Sequence, residues 1–346
     1  MAEKQSPARV VLSAALVMVV GLAACGQPSP PASASTGADL PSPARSQVAA
    51  APSPTTSDLA SPTAIPRIVI ARSAVRLPAG RSRAVALVFG SEVLLCGGLT
   101  SSGATTGAIL DLNLQEGSVS QLGMLPAPVH DAGGAVIGGA GYVFGGGRAV
   151  AGSTIQRIDP AGRATAVGQL PAIRADLAVA SVDGELIVVG GGTPALTDGR
   201  VLATTDGHDL RTIGHLIDPV RYPAVTVFGG LVYVIGGATP HGDTNVIQVL
   251  DPATGVVRVI GHLPHALSHA SALVIGQAIL VAGGRAGGRA QGSVLSVVPA
   301  TGTVSVVGRL PVPASDMAAV VVDGVGYLIG GETTSPIASI VTVSIE

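Results

Sequence analysis

Six polar residues recur at one place in a repeat. Arg83, Asp131, Asp176, Tyr222, His269 and Asp316 each lie six residues beyond a leucine that is usually followed by proline. The position before them holds Ser82, His130, Ala175, Arg221, Ser268 and Ser315. Guanidinium, carboxylate, imidazole and phenol groups at one level suit polar or charged ligands such as glycans or protein loops. The candidate binding set is Arg83, His130, Asp131, Asp176, Arg221, Tyr222, His269 and Asp316. A second account is that these residues start strands, and strand starts are wet and simply polar. Both accounts stay open at this stage. His130, Asp131, Asp176, His269 and Asp316 could surround a cation through oxygen and imidazole. His265 and His269 stand four apart but not on a helix, so they do not converge on one ion. No metal and no cofactor is expected.

Composition narrows the setting. The 346 residues carry 12% charged side chains and a net charge of −2, which leaves no basic face for nucleic acid. Two cysteines exclude a disulfide-stapled scaffold and a multi-thiolate zinc site. One of them, Cys96, sits in an apolar run and is expected to be an inert core residue. Abundant glycine and valine, with Lys4 the only lysine, disfavour long helices. Gly138-Gly139-Ala140-Gly141 is no dinucleotide loop, since no helix follows it.

The elements that must position the polar residues form a repeat. Apolar runs end in diglycines at 97–98, 145–146, 190–191, 236–237, 283–284 and 330–331. Twenty residues before each stands the second marker: Leu77, Leu125, Leu170, Leu216, Leu263 and Leu310. A period near 47 residues means a propeller or a solenoid. Around residue 270 the period resolves into strands at 271–275, 278–284 and 293–298 and an alternating run before Leu310, joined by Gly and Pro turns. Residues 67–76 occupy the register of a fourth strand before the first marker, and 337–345 supply one more strand after the last diglycine. The N-terminal strand is therefore expected to complete the last blade, closing the ring and removing an exposed edge.

A diglycine after an apolar strand, Tyr142, Tyr233 and Tyr327 three residues before it, and a Leu-Pro before the next unit resemble kelch repeats. The resemblance covers 67–346 and implies an all-β, six-bladed kelch-type propeller. The sequence has no tryptophan, and Leu94, Ile187 and Leu280 replace the tyrosine elsewhere, so packing must rest on aliphatic side chains. In such a fold the first strand of each blade lines the channel, and the six polar positions would ring one mouth. Loops carrying Arg148, Asp198, Arg200, His241, Asp243, Arg285, Arg289 and Glu332 would feed the same face. Tyr222 is the sole platform there for stacking a sugar. His215 and His262 are expected on the outer face. Kelch-type copper-radical oxidases need a Tyr–Cys crosslink plus two His and a second Tyr, whereas the only non-lipid thiol here is Cys96, inside an apolar strand beside Gly97, so that activity is rejected. Kelch-type sialic-acid mutarotases need Arg beside an acid/base group, which Arg83 or Arg221 with Asp131, Asp176 or His269 could compose.

The first 24 residues are a targeting segment. Lys4 and Arg9 precede a 14-residue apolar run, Val10 to Ala23, too short to span a bilayer comfortably. Leu22-Ala23-Ala24-Cys25 resembles a bacterial lipobox, which implies lipidation at Cys25 and a membrane-anchored protein outside the cytoplasm. Residues 25–66 are rich in Pro, Ser and Ala and form a stalk of at most ~3.1 Å per residue. The expected function is a binding or scaffolding domain for a protein or glycan, acting as a monomer. The alternative is a carbohydrate-modifying enzyme of the mutarotase kind. Ala at Arg83, Asp131 or Asp316 is expected to leave folding intact and weaken binding.

Overall fold

Each diglycine exists because two blades approach there at backbone distance. The second glycine's N–H donates to a carbonyl of the next blade: Gly98 to Val129 at 2.7 Å, Gly146 to Arg174 at 3.0 Å, Gly191 to Val220 at 2.8 Å. Gly237 to Leu267 and Gly284 to Ala314 continue the series, and Gly331 to Arg81 closes it. A Cβ on the first glycine would strike the same oxygen, at 2.5 Å for Gly97 and 2.1 Å for Gly330. No other residue fits, so the repeat is written in glycine.

The computed structural model describes residues 67–148 and 152–346. They fold into six antiparallel sheets of four main strands, the third carrying the short strand Leu196–Thr197 as a fifth, and among the described residues there is no helix. Blade one comprises Val85–Phe89, Glu92–Cys96, Ala108–Asn113 and Ser118–Met124. Blades two to five repeat the order, their first strands being Gly133–Ile137, Ala175–Val182, Ala224–Phe228 and Ser271–Ile275. Blade six takes Ala318–Val322, Val325–Ile329 and Ser339–Ile345 from the C-terminus and Ile68–Arg76 from the other end of the chain. Ile68 pairs with Ile345 and Ile70 with Val343, which is the expected closure. The strand at 339–345 starts two residues later than the sequence pattern suggests.

First strands neighbour one another in a closed circle, six around one axis. Apolar residues on both faces of the second and third strands fill the spaces between sheets, so Val93, Val188, Val234 and Ile279 are wholly buried. The marker leucines Leu77, Leu125, Leu170, Leu216, Leu263 and Leu310 cap these inter-blade cores. The channel wall is apolar, with Ala135, Val179, Val225, Ala272 and Val321 lining a cavity of about 340 Å³. Cys96 is buried, and burial pushes its thiol up to about 12, so it is protonated and inert. His215 and His262 are exposed at the ends of outer strands. The signal peptide read over 1–24, Cys25 and the stalk over 25–66 lie outside the described residues.

Candidate functional site

The six recurrent polar residues form a closed ring of backbone hydrogen bonds. Asp131 N–H donates to Arg83 carbonyl at 3.2 Å, Asp176 to Asp131 at 2.7 Å and Tyr222 to Asp176 at 2.8 Å. His269 donates to Tyr222 at 3.1 Å, Asp316 to His269 at 2.9 Å, and Arg83 to Asp316 at 3.0 Å. All six lie at positive φ, between 51° and 61°. Left-handed backbone turns each strand sharply before it enters the channel, and Asp and His tolerate it better than most side chains. The ring lies between the wet face and the apolar channel.

Side chains of these residues line a cavity of about 110 Å³ at the mouth. They are enclosed, not wet: the side chains of Asp131, Asp176 and Asp316 are 7%, 5% and 4% exposed. Simple wetness of strand starts therefore does not explain their polarity. The preceding residue forms an antiparallel bridge to the one after the diglycine, as in His130–Gly147, Arg221–Ala238, Ser268–Arg285 and Ser315–Glu332. This bridge brings Arg285 and Glu332 to the mouth. It was legible in the sequence only as a shared face.

Glu332 is the hub of one half. Arg83 Nη2 donates to its Oε1 at 3.1 Å, Arg83 Nε to its Oε2 at 3.3 Å, and Ser82 Oγ to the same Oε2 at 2.9 Å. Arg285 also pairs with Glu332, and its Nε donates to Ser315 Oγ at 3.1 Å. Ser315 Oγ in turn donates to Asp316 Oδ2 at 2.6 Å. His269 Nδ1 lies 2.6 Å from Asp316 Oδ1, and the Tyr222 ring stacks on the imidazole at 3.7 Å between centroids. On the other half Arg221 Nε donates to Asp176 Oδ2 at 2.5 Å, and its guanidinium carbon lies 5.2 Å from the Tyr222 ring centre. His130 Nδ1 meets Thr105 Oγ1 at 2.9 Å, with Nε2 3.7 Å from Asp131.

Electrostatics follow from this packing. Burial pushes the Asp131 carboxyl up to about 7, Asp176 and Asp316 adding to the effect and Arg83 opposing it. Burial also acts on Asp316, but the hydrogen bond and charge of His269 and the Arg83 charge outweigh it and hold that carboxyl below its usual range. Burial and the Arg83 charge lower the His130 imidazole. Burial disfavours the Arg83 cation, yet Glu332, Asp131 and Asp316 together hold its proton more firmly than usual. Tyr222 is raised by burial and by the charges of Asp131 and Asp176, so it stays a neutral phenol.

All eight residues singled out from the sequence thus meet at one mouth. The loop residues divide. Arg285 and Glu332 join the site, whereas Asp198 and Arg200 pair with each other and with the buried Arg174 at the entry to blade three. His241 and Arg289 stay exposed on their loops. Tyr222 already has one face covered by His269, so it offers less of a stacking platform than its position suggests. Among the described residues no three His, Cys, Asp or Glu side chains are arranged to hold a metal ion.

The Kelch motif family matches residues 219–264, a single period that spans blade four and contains Tyr233, Gly236-Gly237 and Leu263-Pro264. The fold is a six-bladed kelch-type β-propeller. A solved structure titled "Structure of YjhT" shares it, with a TM-score of 0.69 at 16% identity over 78% of this chain and 99% of that one. Likeness at that identity speaks to the fold alone. No curated protein sequence matches the chain significantly. In this propeller aliphatic side chains such as Leu94, Ile187 and Leu280 replace the blade tyrosine and are wholly buried.

Proposed function

We propose that this propeller is the extracytoplasmic binding or scaffolding domain of a cell-envelope lipoprotein, presented on a lipid-anchored stalk to a protein or glycan. One observation carries the reading. Arg83, Arg221 and Arg285 are each already engaged by a carboxylate of the protein, in a mouth cavity of about 110 Å³. Among the described residues none of these three guanidinium groups is left over to seize a substrate carboxylate, and the cavity falls below the usual ligand-pocket range. Recognition then falls to the broad face around the mouth, where the Gly-rich loops stand.

A second reading, a mutarotase-like enzyme, has its own support. Asp131 titrates near neutrality, and a His269–Asp316 pair stands across the same cavity, which is the pairing of environments that acid/base chemistry uses. A thermal-shift screen of the purified chain against sugars, sialic acids and cell-wall fragments separates the two. The binding reading expects no small-molecule hit, with capture of an envelope protein or polymer spread over several loops. A hit abolished by Asp131→Asn would overturn it in favour of the enzyme. Anchoring is tested by Cys25→Ala, which should release the protein from membranes; unchanged membrane association would sink the lipoprotein assignment.

A further inference from the structure

Blade six differs from the other five at its outer edge. In blades one to five the residue two before the marker leucine is glycine: Gly123, Gly168, Gly214, Gly261 and Gly308. Each lies against the neighbouring blade so closely that a Cβ would meet it at 2.2 to 2.6 Å. Each of these strands skips one residue at the bulge, as between Ile155–Gly168 and Gln156–Ala166. In blade six the position is Val75, whose buried side chain faces the Gly117 turn of blade one. A valine needs room that the glycines do not. Between the pairs Arg72–Val341 and Arg76–Ser339, three residues stand against the single Ile340, so the surplus is two where the other blades have one. Ser73 Oγ accepts the Val75 N–H at 3.1 Å and fixes the wider loop.

That wider bulge lifts the outer strand from the linker between blades five and six. It leaves a cavity of about 280 Å³. Leu310, Val312, Met317 and Ile340 are among its walls, and Arg72 and Arg76 stand at its rim. Both arginines are exposed, and neither is in an ion pair among the described residues. An apolar cleft of this size with two unspent cations at its edge selects for one chemical class.

We propose that the cavity between this linker and the outer strands of blade six binds a single-chain anionic amphiphile of the fatty-acid type. Its head group sits between Arg72 and Arg76 and its chain lies against Leu310, Met317 and Ile340. The site is separate from the mouth and does not depend on the reading given to it. The volume limits the buried chain to about ten heavy atoms, on the ~30 Å³ that a small group occupies in a condensed phase.

The test is calorimetric titration of the purified full chain with sodium decanoate, decanol and decyltrimethylammonium. Saturable binding of decanoate at one site, at least tenfold tighter than either other probe, is expected. Arg72→Gln with Arg76→Gln changes only exposed side chains and should weaken decanoate tenfold or more, leaving decanol unchanged. Ala338→Leu, which enlarges a wall residue, should weaken decanoate and decanol together. Equal affinity for all three probes, affinity for decanoate unchanged in the double variant, or no saturable binding would each overturn the proposal. Melting temperatures of both variants, measured alongside, show whether a loss of binding reflects unfolding, and the double variant decides if Ala338→Leu fails to fold.

Discussion

Arg83 and Asp131 are joined twice across the first blade boundary. The Asp131 N–H donates to the Arg83 carbonyl at 3.2 Å, and Arg83 Nη1 donates to Asp131 Oδ2 at 3.0 Å. Backbone and side chain thus make the same connection in opposite directions. Arg83 also faces Glu332 and Asp316, so one guanidinium links the first, second and sixth blades where the ring closes.

This linkage revises the expectation that Arg83→Ala leaves folding intact. Truncation leaves Asp131 enclosed without its nearest cation, while Arg285 still serves Glu332 and Asp316. Removing one partner of a buried pair costs about 3 kcal/mol or more. Denaturant unfolding of Arg83→Ala should show a loss on that scale. Arg83→Lys, which keeps the charge but loses the fork, should fall between. A midpoint equal to wild type would mean that the side-chain network contributes nothing to ring closure.

Asp131 sets a pH dependence whose sign is fixed by burial. Its folded pKa is raised to about 7 from an ordinary value of 3.8, so between these limits the folded state holds more protons than the unfolded one. Stability contributed by this group therefore falls as pH rises from about 4 to about 7, by on the order of 4 kcal/mol if Asp131 titrates alone. His130 acts the other way, because its lowered pKa makes stability rise with pH just below its usual range. Asp316, lowered, loses its contribution only in strong acid. Unfolding midpoints of wild type and Asp131→Asn at pH 5 and pH 8 isolate the group. The wild type should lose stability relative to the variant on going to pH 8; parallel profiles would show that Asp131 does not titrate in that window.

Closure makes its own prediction. Ile68–Arg76 is the outer strand of blade six, and its removal exposes the edge of Ser339–Ile345 along the pairs from Ile68–Ile345 to Arg76–Ser339. Deleting 67–76 should lower the melting temperature by roughly 10 °C, the scale of several kcal/mol in a domain of this size. Deleting 26–60 should change it little. Equal melting temperatures for the two deletions would refute the role of that strand in closing the ring.

Much of this was legible because close backbone approach leaves a mark in sequence. The diglycines are forced by carbonyls about 2 Å from any Cβ, and the marker leucines by the inter-blade cores. The closing strand was legible because a fourth strand was missing at one end and a spare one stood at the other. Partner choice was not legible. Glu332 and Arg285 reach the mouth through bridges to Ser315 and Ser268, which depend on how two chain segments pair and not on either segment alone. Asp198 was assigned to the mouth by position, but Arg174, at the entry to blade three, draws it aside. At the corresponding place blades two and four carry Val129 and Val220. The left-handed ring was hidden because Arg83 and Tyr222 are residue types that seldom adopt it.

The ring's backbone can be tested apart from its charges at Tyr222, whose φ is 51° and whose side chain lacks a formal charge. Asparagine accepts a left-handed conformation with little penalty, whereas a β-branched residue resists it by about 1–2 kcal/mol. Tyr222→Asn and Tyr222→Val both remove the stack on His269, so that shared loss cancels in the comparison. If the six-membered backbone ring is maintained, Tyr222→Val should unfold at lower denaturant than Tyr222→Asn by about that amount. The two N–H···O bonds that Tyr222 makes, to Asp176 and from His269, hold the residue in place and prevent relaxation to negative φ. Identical midpoints would mean that the backbone relaxes at this position and that the ring tolerates a gap. The mouth would then be held by the side-chain network around Glu332 rather than by the closed circle of amides.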